Sequence, residues 1–290
     1  MDLRALFVAL LSVSFCAVSE GQLLNSSFEI PDPNRATPWF TPPMYWQWDD
    51  TPGNLNYVGL HRQFTPRPEQ RQPVYWSIPS PVEGDYFVVL STGDAQGMDS
   101  AGKTLYSRIE QLISICPGDM ISGYYFFGTC DYLPYDDTGR ILLEPVDPND
   151  GLRPVILAEI STEDVGNYGS THGWQYFHHR FDGPQCGQYV LSCEVRDYLD
   201  KIYKSYLALD NFRLCRNVPK FGDFNTDCAI DYHDFDIMAQ AWLADCNDPN
   251  VVADPNIPCE LLITDPNHID GFITIDHLML LSEHWLERFD

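Results

Sequence analysis

Residues 108–127 read RIEQLISICPGDMISGYYFF, two runs rich in β-branched and aromatic side chains on either side of a Cys-Pro-Gly-Asp segment. Runs of this composition between turn-forming residues are typical of β-strands. The pattern recurs along the chain, and we predict eight strands, at 86–90, 108–115, 120–127, 140–143, 155–160, 174–181, 189–196 and 206–214. Because no helical pattern separates them, the sequence predicts a mainly β fold, an antiparallel β-sandwich of the jelly-roll kind.

The chain is strongly acidic, with 42 Asp and Glu against 17 Lys and Arg and a formal net charge of −25 over 290 residues. Such a surface repels phosphate backbones and anionic lipid, which argues against nucleic acid as a partner and against electrostatic docking to membranes. A hydrophobic content of 44% is enough for a sizeable core. We therefore expect a globular protein.

Residues 1–19 have the pattern of a secretory signal peptide. Arg4 supplies the positive charge, residues 5–15 are apolar, and Ala17 and Ser19 are the small residues that precede a cleavage site. The apolar run is shorter than the roughly 18 residues needed to span a bilayer. We expect the mature protein to be secreted or displayed at the cell surface, with no membrane insertion after signal cleavage.

Eight of the nine cysteines follow this leader. An even number in an exported chain favours disulfides, and the absence of a Cys-x-x-Cys pair argues against zinc or redox motifs. Proximity along the chain favours the pairs Cys215 with Cys228 and Cys246 with Cys259. The other four are then expected to pair within the large domain, namely Cys116, Cys130, Cys186 and Cys193.

The pattern changes after residues 216–220. Phe235, Met238, Ala239 and Trp242 fall at i, i+3, i+4 and i+7, which is the spacing of one apolar helix face. A second set repeats the spacing 43 residues later (235 to 278), at Leu278, Leu281, Ser282 and Trp285. The sequence therefore predicts a large domain at 23–215 and a small, duplicated α-helical domain at 222–287.

A calcium loop of the EF-hand type precedes the first of these helices. Its oxygen ligands occupy positions 1, 3, 5, 9 and 12, with a backbone carbonyl at position 7, which is the pattern that a hard cation requires. Cys228 departs from it, because the loop usually has Gly there. The predicted ligands are Asp223, Asn225, Asp227, Asp231 and Asp234, with the carbonyl of Ala229.

The second copy of the loop is less regular. Asp265, Asn267 and Asp270 match ligands of the first loop, with one residue inserted between Asn267 and Asp270. His277 occupies position 12, and Asp276 beside it is a possible substitute. A calcium shell of six to eight oxygens tolerates such irregularity, so we expect weaker calcium binding or none at this loop.

These two loop-helix units, each ending in Trp-Leu, resemble a type I dockerin over residues 222–287, and their Cys-containing insertion at 245–260 is similar to that of planctomycete-type secreted proteins. The resemblance implies binding of Ca²⁺ and docking to a cohesin-like protein through loop positions 10 and 11. In this chain those positions hold Tyr232-His233 and Ile275-Asp276.

Three short motifs in the large domain resemble the first, early and last strands of galactose-binding-like jelly rolls, the fold of many carbohydrate-binding modules. They are LNSSFE at 24–29, EGDYF at 83–87 and LALDNFRL at 207–214, so the resemblance spans about 23–215. It implies that Glu29 and Asp210 hold a structural calcium ion. The alternative is an exposed Glu and an unrelated turn Asp.

Aromatic residues are concentrated in WFTPPMYWQW at 39–48. Sugar rings stack their C–H faces on indole and phenol rings, so this segment is a candidate polysaccharide site. The alternative is that the rings cover one sheet as part of the core. The candidate residues are Trp39, Tyr45, Trp46 and Trp48.

No nucleophile, metal-hydrolase or phosphate-binding motif is present. Candidate acids occur near a strand end, at Glu159, Glu163 and Asp164, and candidate bases around Trp174, at His172, His178 and His179. We therefore predict a secreted, non-catalytic carbohydrate-binding or cell-surface protein with a calcium-dependent, dockerin-like assembly module. The alternatives are a polysaccharide-degrading glycoside hydrolase that carries a dockerin, and a purely structural surface protein.

Overall fold

Ten strands form two antiparallel sheets within the residues that the computed structural model describes, which are 22–36, 40–48, 57–66, 74–92, 106–149, 151–198, 203–218, 222–225, 227–246, 248, 259 and 275–288. The predicted signal peptide lies outside these residues. The strands are β1 (Gln47–Trp48), β2 (Tyr57–His61), β3 (Phe87–Ser91), β4 (Tyr106–Ile115), β5 (Met120–Thr129), β6 (Thr138–Pro145), β7 (Val155–Ser161), β8 (Gln175–Arg180), β9 (Gly187–Arg196) and β10 (Ser205–Cys215).

The first sheet has the order β1-β4-β9-β6-β7 and the second the order β2-β3-β10-β5-β8. From β3 onward the chain crosses repeatedly between the sheets, as it does in jelly rolls. The predicted antiparallel β-sandwich is therefore confirmed. All eight predicted strands are present, but β1 and β2 were not predicted because their segments are short and rich in Pro, Gly and Asn.

The two runs of residues 108–127 become β4 and β5, which lie in opposite sheets and do not pair with each other. The segment between them forms a tight turn that two hydrogen bonds stabilise. The amide of Asp119 donates to the carbonyl of Cys116, and the Asp119 carboxylate accepts from the Cys116 amide. Alternate residues then face the space between the sheets, with Ile109 and Ile113 on β4 and Phe127 on β5 fully buried.

The motif at 24–29 is not a strand. It forms a turn in which the amide of Phe28 donates to the carbonyl of Asn25, and Phe28 packs into the core against Trp46 and Phe212. The segment reaches the last strand through a hydrogen bond from the Phe212 amide to the Ser26 carbonyl. The segment lies beside β10, as the resemblance to a first strand implies, but its backbone forms a turn and not a strand.

A second apolar cluster lies on the outer face of the second sheet. Phe64 and Ile78 pair as an isolated antiparallel bridge and lie over the sheet residues Phe87, Phe126 and Tyr206. Trp76 joins this cluster, and its indole N–H donates to the carbonyl of Thr129. The covering segment therefore turns half of this sheet face into core.

The helices α2 (Tyr232–Gln240) and α3 (Ile275–Glu283) follow the sandwich in the described part of the chain, and the short α1 (Thr162–Val165) lies within it. Their bounds are 43 residues apart at both ends, as the duplication predicts. Leu243 and Leu286 follow them in the same left-handed conformation, each with φ 66°. No helix in the described part of the chain is both long and apolar enough to cross a membrane.

The helical segment is attached to the end of the sandwich. A disulfide joins Cys215, the last residue of β10, to Cys228, and both pack with Met120 and Val218. Cys228 has φ 69°, so the loop position that usually holds Gly keeps the left-handed conformation with a Cys. The first loop therefore sits directly against the sheet and is not separated from it by a long linker.

The structure contains three disulfides, Cys116–Cys186, Cys215–Cys228 and Cys246–Cys259. Cys130 and Cys193 are buried thiols, so the prediction that all four cysteines of the large domain pair was wrong for these two. Cys193 faces the core between the sheets, whereas Cys130 belongs to the cluster on the outer face of the second sheet. The second sheet therefore separates the two sulfur atoms.

His61, at the end of β2, is packed among aromatic rings. Its Nε2 lies 2.6 Å from the Tyr57 hydroxyl oxygen, and its ring contacts Phe64 and Phe87. Burial lowers the pKa of His61 from 6.5 to about 4. The folded protein thus holds this imidazole neutral, whereas the unfolded chain binds a proton below about pH 6.5.

We expect His61 to contribute a loss in the free energy of unfolding as the pH decreases from about 6.5 to 4, because at this residue the unfolded state then binds a proton that the folded state does not. The loss from His61 alone is about 3 kcal/mol at pH 4. Urea unfolding at pH 7.5 and 4.5 measures it, with the non-titrating variant His61→Gln as the comparison. An equal pH dependence in both proteins would contradict this assignment.

Candidate functional site

The first loop brings its predicted oxygen ligands close together. The Asp223 carboxylate accepts hydrogen bonds from the amides of Asp227 and Cys228, at 3.0 Å each. Asp234, in the first turn of α2, accepts from the amides of Phe224 and Asp231. These bonds wrap the loop around the two carboxylates, which are almost completely buried.

The remaining ligands complete the same loop. Asp227 accepts from the amide of Ala229 and from the Asn225 side chain, at 2.9 Å each. Asp231 caps α2 by accepting from the amide of His233, and Asp234 reciprocates by accepting from the Asp231 amide. The capping box explains why the helix begins immediately after the loop.

Burial raises the pKa of Asp223 to about 7, with further contributions from the negative charges of Asp234 and Asp227. Burial likewise raises the pKa of Asp234 to about 6, and Asp227 adds to the effect. Buried carboxylates that repel one another are the donor set that a divalent cation stabilises. Among the described residues, however, no three His, Cys, Asp or Glu side chains converge as a formed metal site. Calcium binding here therefore stays a prediction.

Most of the second loop lies outside the described residues, including Asp265, Asn267 and Asp270. Asp276 lies in the first turn of α3. The first and second units meet through Ile230, whose amide and carbonyl bond to Glu287 and Leu286 beyond α3. The prediction of a weaker second site is therefore unchanged.

Glu29 and Asp210 are brought to the same loop, residues 82–86. Asp210 accepts hydrogen bonds from the amides of Val82 and Glu83, and Glu29 accepts from those of Asp85 and Tyr86. Burial raises the pKa of Asp210 to about 7. The hydrogen bonds from backbone N–H groups lower this pKa in part, and the negative charge of Glu29 raises it further.

Gly84 lies at the centre of this loop with φ 69°, and a Cβ there would meet the carboxylate of Glu29. The left-handed conformation favours glycine, and a larger residue would also displace the Glu29 carboxylate. Backbone N–H groups supply much of the positive potential that Glu29 and Asp210 need. A calcium ion at this pair stays a prediction.

The predicted aromatic patch at 39–48 divides into buried and exposed parts. Trp46 is 1% exposed, packs against Phe28 and Phe212, and donates its indole N–H to the carbonyl of Asn25. A fully buried ring cannot stack on a sugar, so the prediction for Trp46 was wrong. Tyr45 is exposed and has φ 70°.

Trp48 is half-buried. The Arg35 guanidinium lies over its ring at 5.0 Å, and Phe40 packs on it edge to face. Arg35 also donates to the carbonyls of Trp46 and Trp48. One face of the Trp48 indole is thus occupied within the protein, while Trp39 lies outside the described residues.

The rings that do form a cleft lie elsewhere, on the outer face of the second sheet. A cavity of about 520 Å³ is bounded by residues 75–80 and 168–174. Tyr75 is 90% exposed at its rim, and Trp76 and Trp174 form its walls above Phe126. The Trp174 indole N–H donates to the carbonyl of Ser80, so it ties the two walls together.

Composition alone did not separate this cleft from the patch at 39–48, because both contain Trp and Tyr. The available signal was that Tyr75 and Trp76 are followed by Ser77, Pro79 and Ser80, a segment with too few apolar residues to be buried on both sides. Such a segment can cover a sheet on one side and expose its rings on the other.

Another cavity, of about 770 Å³, lies between β10 and the first loop. Its charged walls are paired with each other, since Arg216 contacts Asp119 at 2.7 Å and Arg213 contacts Glu83 at 3.3 Å. The one aromatic residue lining it is Phe212, which belongs to the core. This cavity lacks an exposed ring.

The candidate acids Glu159 and Asp164, on β7 and α1, have structural partners. Glu159 pairs with Arg140 at 3.0 Å on the first sheet, and Asp164 accepts from the Ser161 amide at the start of α1. His178 and His179 lie on opposite faces of β8, where His178 stacks on Tyr176.

No family model and no curated protein match the chain. Similar solved structures include TmCBM61 in complex with β-1,4-galactotriose (12% identity, 68% of this chain and 98% of that chain, TM-score 0.34). They also include CBM28, a module specific for non-crystalline cellulose (12% identity, 67% of this chain and 96% of that chain, TM-score 0.35). A third is the C-terminal family 22 carbohydrate-binding module of Clostridium thermocellum Xyn10B (10% identity, 65% of this chain and 95% of that chain, TM-score 0.31). These TM-scores are low, and the site described above rests on this chain's own residues.

We expect Trp46→Ala to lower the free energy of unfolding by about 3–5 kcal/mol, because it leaves a cavity in the core. Tyr45→Ala removes an exposed ring next to it and should change the free energy by less than about 0.5 kcal/mol. Urea unfolding of both variants tests this. Equal, small effects would mean that Trp46 is not a core residue.

Proposed function

We propose that this protein is an exported, non-catalytic carbohydrate-binding protein, and that it binds sugar in the cleft of Tyr75, Trp76, Tyr168 and Trp174. The observation that carries the proposal is the cleft itself: a concave site of about 520 Å³ lined by the exposed Tyr75 and the partly buried Trp174, with the buried Trp76 beneath them in its wall. Sites for small ligands are typically concave and aromatic, with few polar groups that set orientation.

Sugars fit this chemistry because their C–H faces are apolar and their rims carry hydroxyls. The rings of Tyr75 and Trp174 offer flat apolar surfaces, while His172 and the serines at 77 and 80 line the cleft with hydrogen-bonding groups. The net charge of −25 favours a neutral or weakly charged polysaccharide over a polyanion.

Export is supported by the three disulfides, since such bonds persist in oxidising surroundings. It agrees with the leader pattern at 1–19. We propose that the protein acts outside the cell or at its surface.

We also propose that the C-terminal segment is a dockerin-like module that binds Ca²⁺. The first loop would hold the ion through Asp223, Asn225, Asp227, Asp231, Asp234 and the carbonyl of Ala229, and the second through Asp265, Asn267, Asp270 and Asp276. Support comes from the matched bounds of α2 and α3 and from the buried, mutually repelling carboxylates of the first loop. Bound calcium would neutralise these carboxylates and so stabilise the loop.

A cohesin-like protein is the partner that this module would dock to. Tyr232, at loop position 10, is 74% exposed and packs edge to face on Trp285, so it presents an aromatic surface to a partner. Docking would tether the glycan site and compensate for weak single-site affinity through effective concentration.

We expect Tyr75→Ala to weaken retention on a neutral polysaccharide by about 2- to 10-fold, because one stacking contact contributes about 0.5–1.5 kcal/mol. Affinity electrophoresis in gels containing cellulose derivatives, xylan or galactan measures the retention. Tyr45→Ala is the control, since it removes an exposed Tyr from the other aromatic segment.

Retention that depends on Tyr45 and not on Tyr75 would contradict the assigned cleft. Release of reducing ends by the wild-type protein in the same polysaccharides would contradict the non-catalytic proposal and favour the glycoside hydrolase alternative. Failure to bind any glycan would favour a purely structural surface protein.

We expect the oxidised, mature protein to bind Ca²⁺, and expect Asp223→Asn combined with Asp227→Asn to abolish the tighter site, because both ligands lose charge. Calorimetric titration with Ca²⁺ measures this. Asp236→Asn, on the exposed side of α2, is the control for a general loss of negative charge. The proposal fails if no calcium is bound, or if binding is the same in the double variant.

A further inference from the structure

We propose that the glycan site continues from the cleft of Trp174 along β8 to a second cleft, formed jointly by the sandwich and the first loop of the C-terminal segment, and that its ligand is therefore a linear polysaccharide chain. This inference rests on the proposed carbohydrate binding. It adds the class of ligand and assigns the C-terminal segment a direct part in recognition.

A row of rings connects the two clefts. Trp174, Tyr176 and His178 are alternate residues, which in a strand face the same side of the sheet. Tyr176 pairs with Tyr124 across β8 and β5, with ring centroids 5.1 Å apart, and stacks on His178 at 5.7 Å. Tyr176 is 41% exposed.

The row lies at the edge of the second sheet, because β8 is its last strand. Trp174 packs against the aromatic cluster around Trp76, whereas Tyr176 and His178 lie beyond that cluster on the outer face. A chain bound over Trp174 therefore has an accessible aromatic surface to follow along β8.

The second cleft, of about 350 Å³, lies at the far end of this row. Tyr124 and Tyr176 form its aromatic side, and Asn211 and Arg213 of β10 contribute polar groups. The first loop closes it from the opposite side with Asn225, Asp227 and His233. Flat rings opposite amide, guanidinium and imidazole groups suit a sugar ring, which has apolar faces and a polar rim.

The loop side of the cleft is held in place against the sheet. The Cys215–Cys228 disulfide fixes the loop at one point, and Arg213 donates to the Asp227 carbonyl at 3.1 Å. A site with such fixed walls loses little conformational entropy when it binds a ligand.

The length of the row determines the ligand class. Trp174 and His178 are four positions apart, about 13 Å at the rise of a β-strand, and Ser122 and Arg213 of the second cleft lie level with His178. A single sugar ring cannot contact both ends. The arrangement therefore favours an internal segment of a linear, neutral polymer over a terminal sugar.

The test compares short and long oligosaccharides of the same polymer, di- and trisaccharides against hexa- and octasaccharides of cellulose, xylan and galactan. Isothermal titration calorimetry of the oxidised, mature protein gives both affinities. We expect the wild type to bind the long series about 10-fold or more tightly than the short one, since each added aromatic contact contributes about 2- to 10-fold.

Tyr176→Ala and His233→Ala should remove most of this gain and leave the affinity for the short series unchanged. Tyr232→Ala is the matched control, because Tyr232 neighbours His233 but packs on Trp285 and does not line the cleft. Equal affinities for short and long oligosaccharides, or an undiminished gain in both variants, would overturn the inference while leaving the first cleft intact. Absence of binding to every oligosaccharide would instead contradict the proposed function itself.

Discussion

The packing of Phe212 against Gly123 is the contact on which the arrangement of the second sheet depends. A Cβ at position 123 would meet the Phe212 ring at 2.3 Å, so the ring fits only over glycine. Strict alternation along β10 would turn Phe212 outward, with Asp210. The irregularity between Asp210 and Arg213 turns it into the core and turns Arg213 outward.

This one irregularity organises the end of the sandwich. Asp210 holds the loop at 82–86 on one side of it, and Arg213 reaches the first loop of the C-terminal segment on the other. Asn211, between them, has φ 48° and lines both cavities beside the strand. A core contact thus determines where the polar groups of the surface are presented.

Much of the fold follows from local sequence. The β-branched and aromatic runs at 108–127 identify β4 and β5, and the apolar spacing at Phe235 and Met238 identifies α2, because both signals depend only on neighbours in the chain. The sheet to which each strand belongs was not predicted, and neither were the thiols of Cys130 and Cys193, since both depend on contacts between distant segments. The same limit explains why the burial of Trp46 was not predicted, because the composition of its Pro-rich segment does not show whether the tryptophan is buried or exposed. The first loop was assigned residue by residue because its ligands are local.

The Cys215–Cys228 disulfide keeps the sandwich and the helical segment joined after a single proteolytic cut between them. It closes a covalent ring over a sequence separation of 13 residues, which contains the whole connection between β10 and the first loop. A protease that cuts this connection once opens the ring but releases neither part, because the disulfide still joins the two fragments. Separation then requires both a cut and a reductant, so nicked protein keeps its helical segment attached to the sandwich while the disulfide stays oxidised.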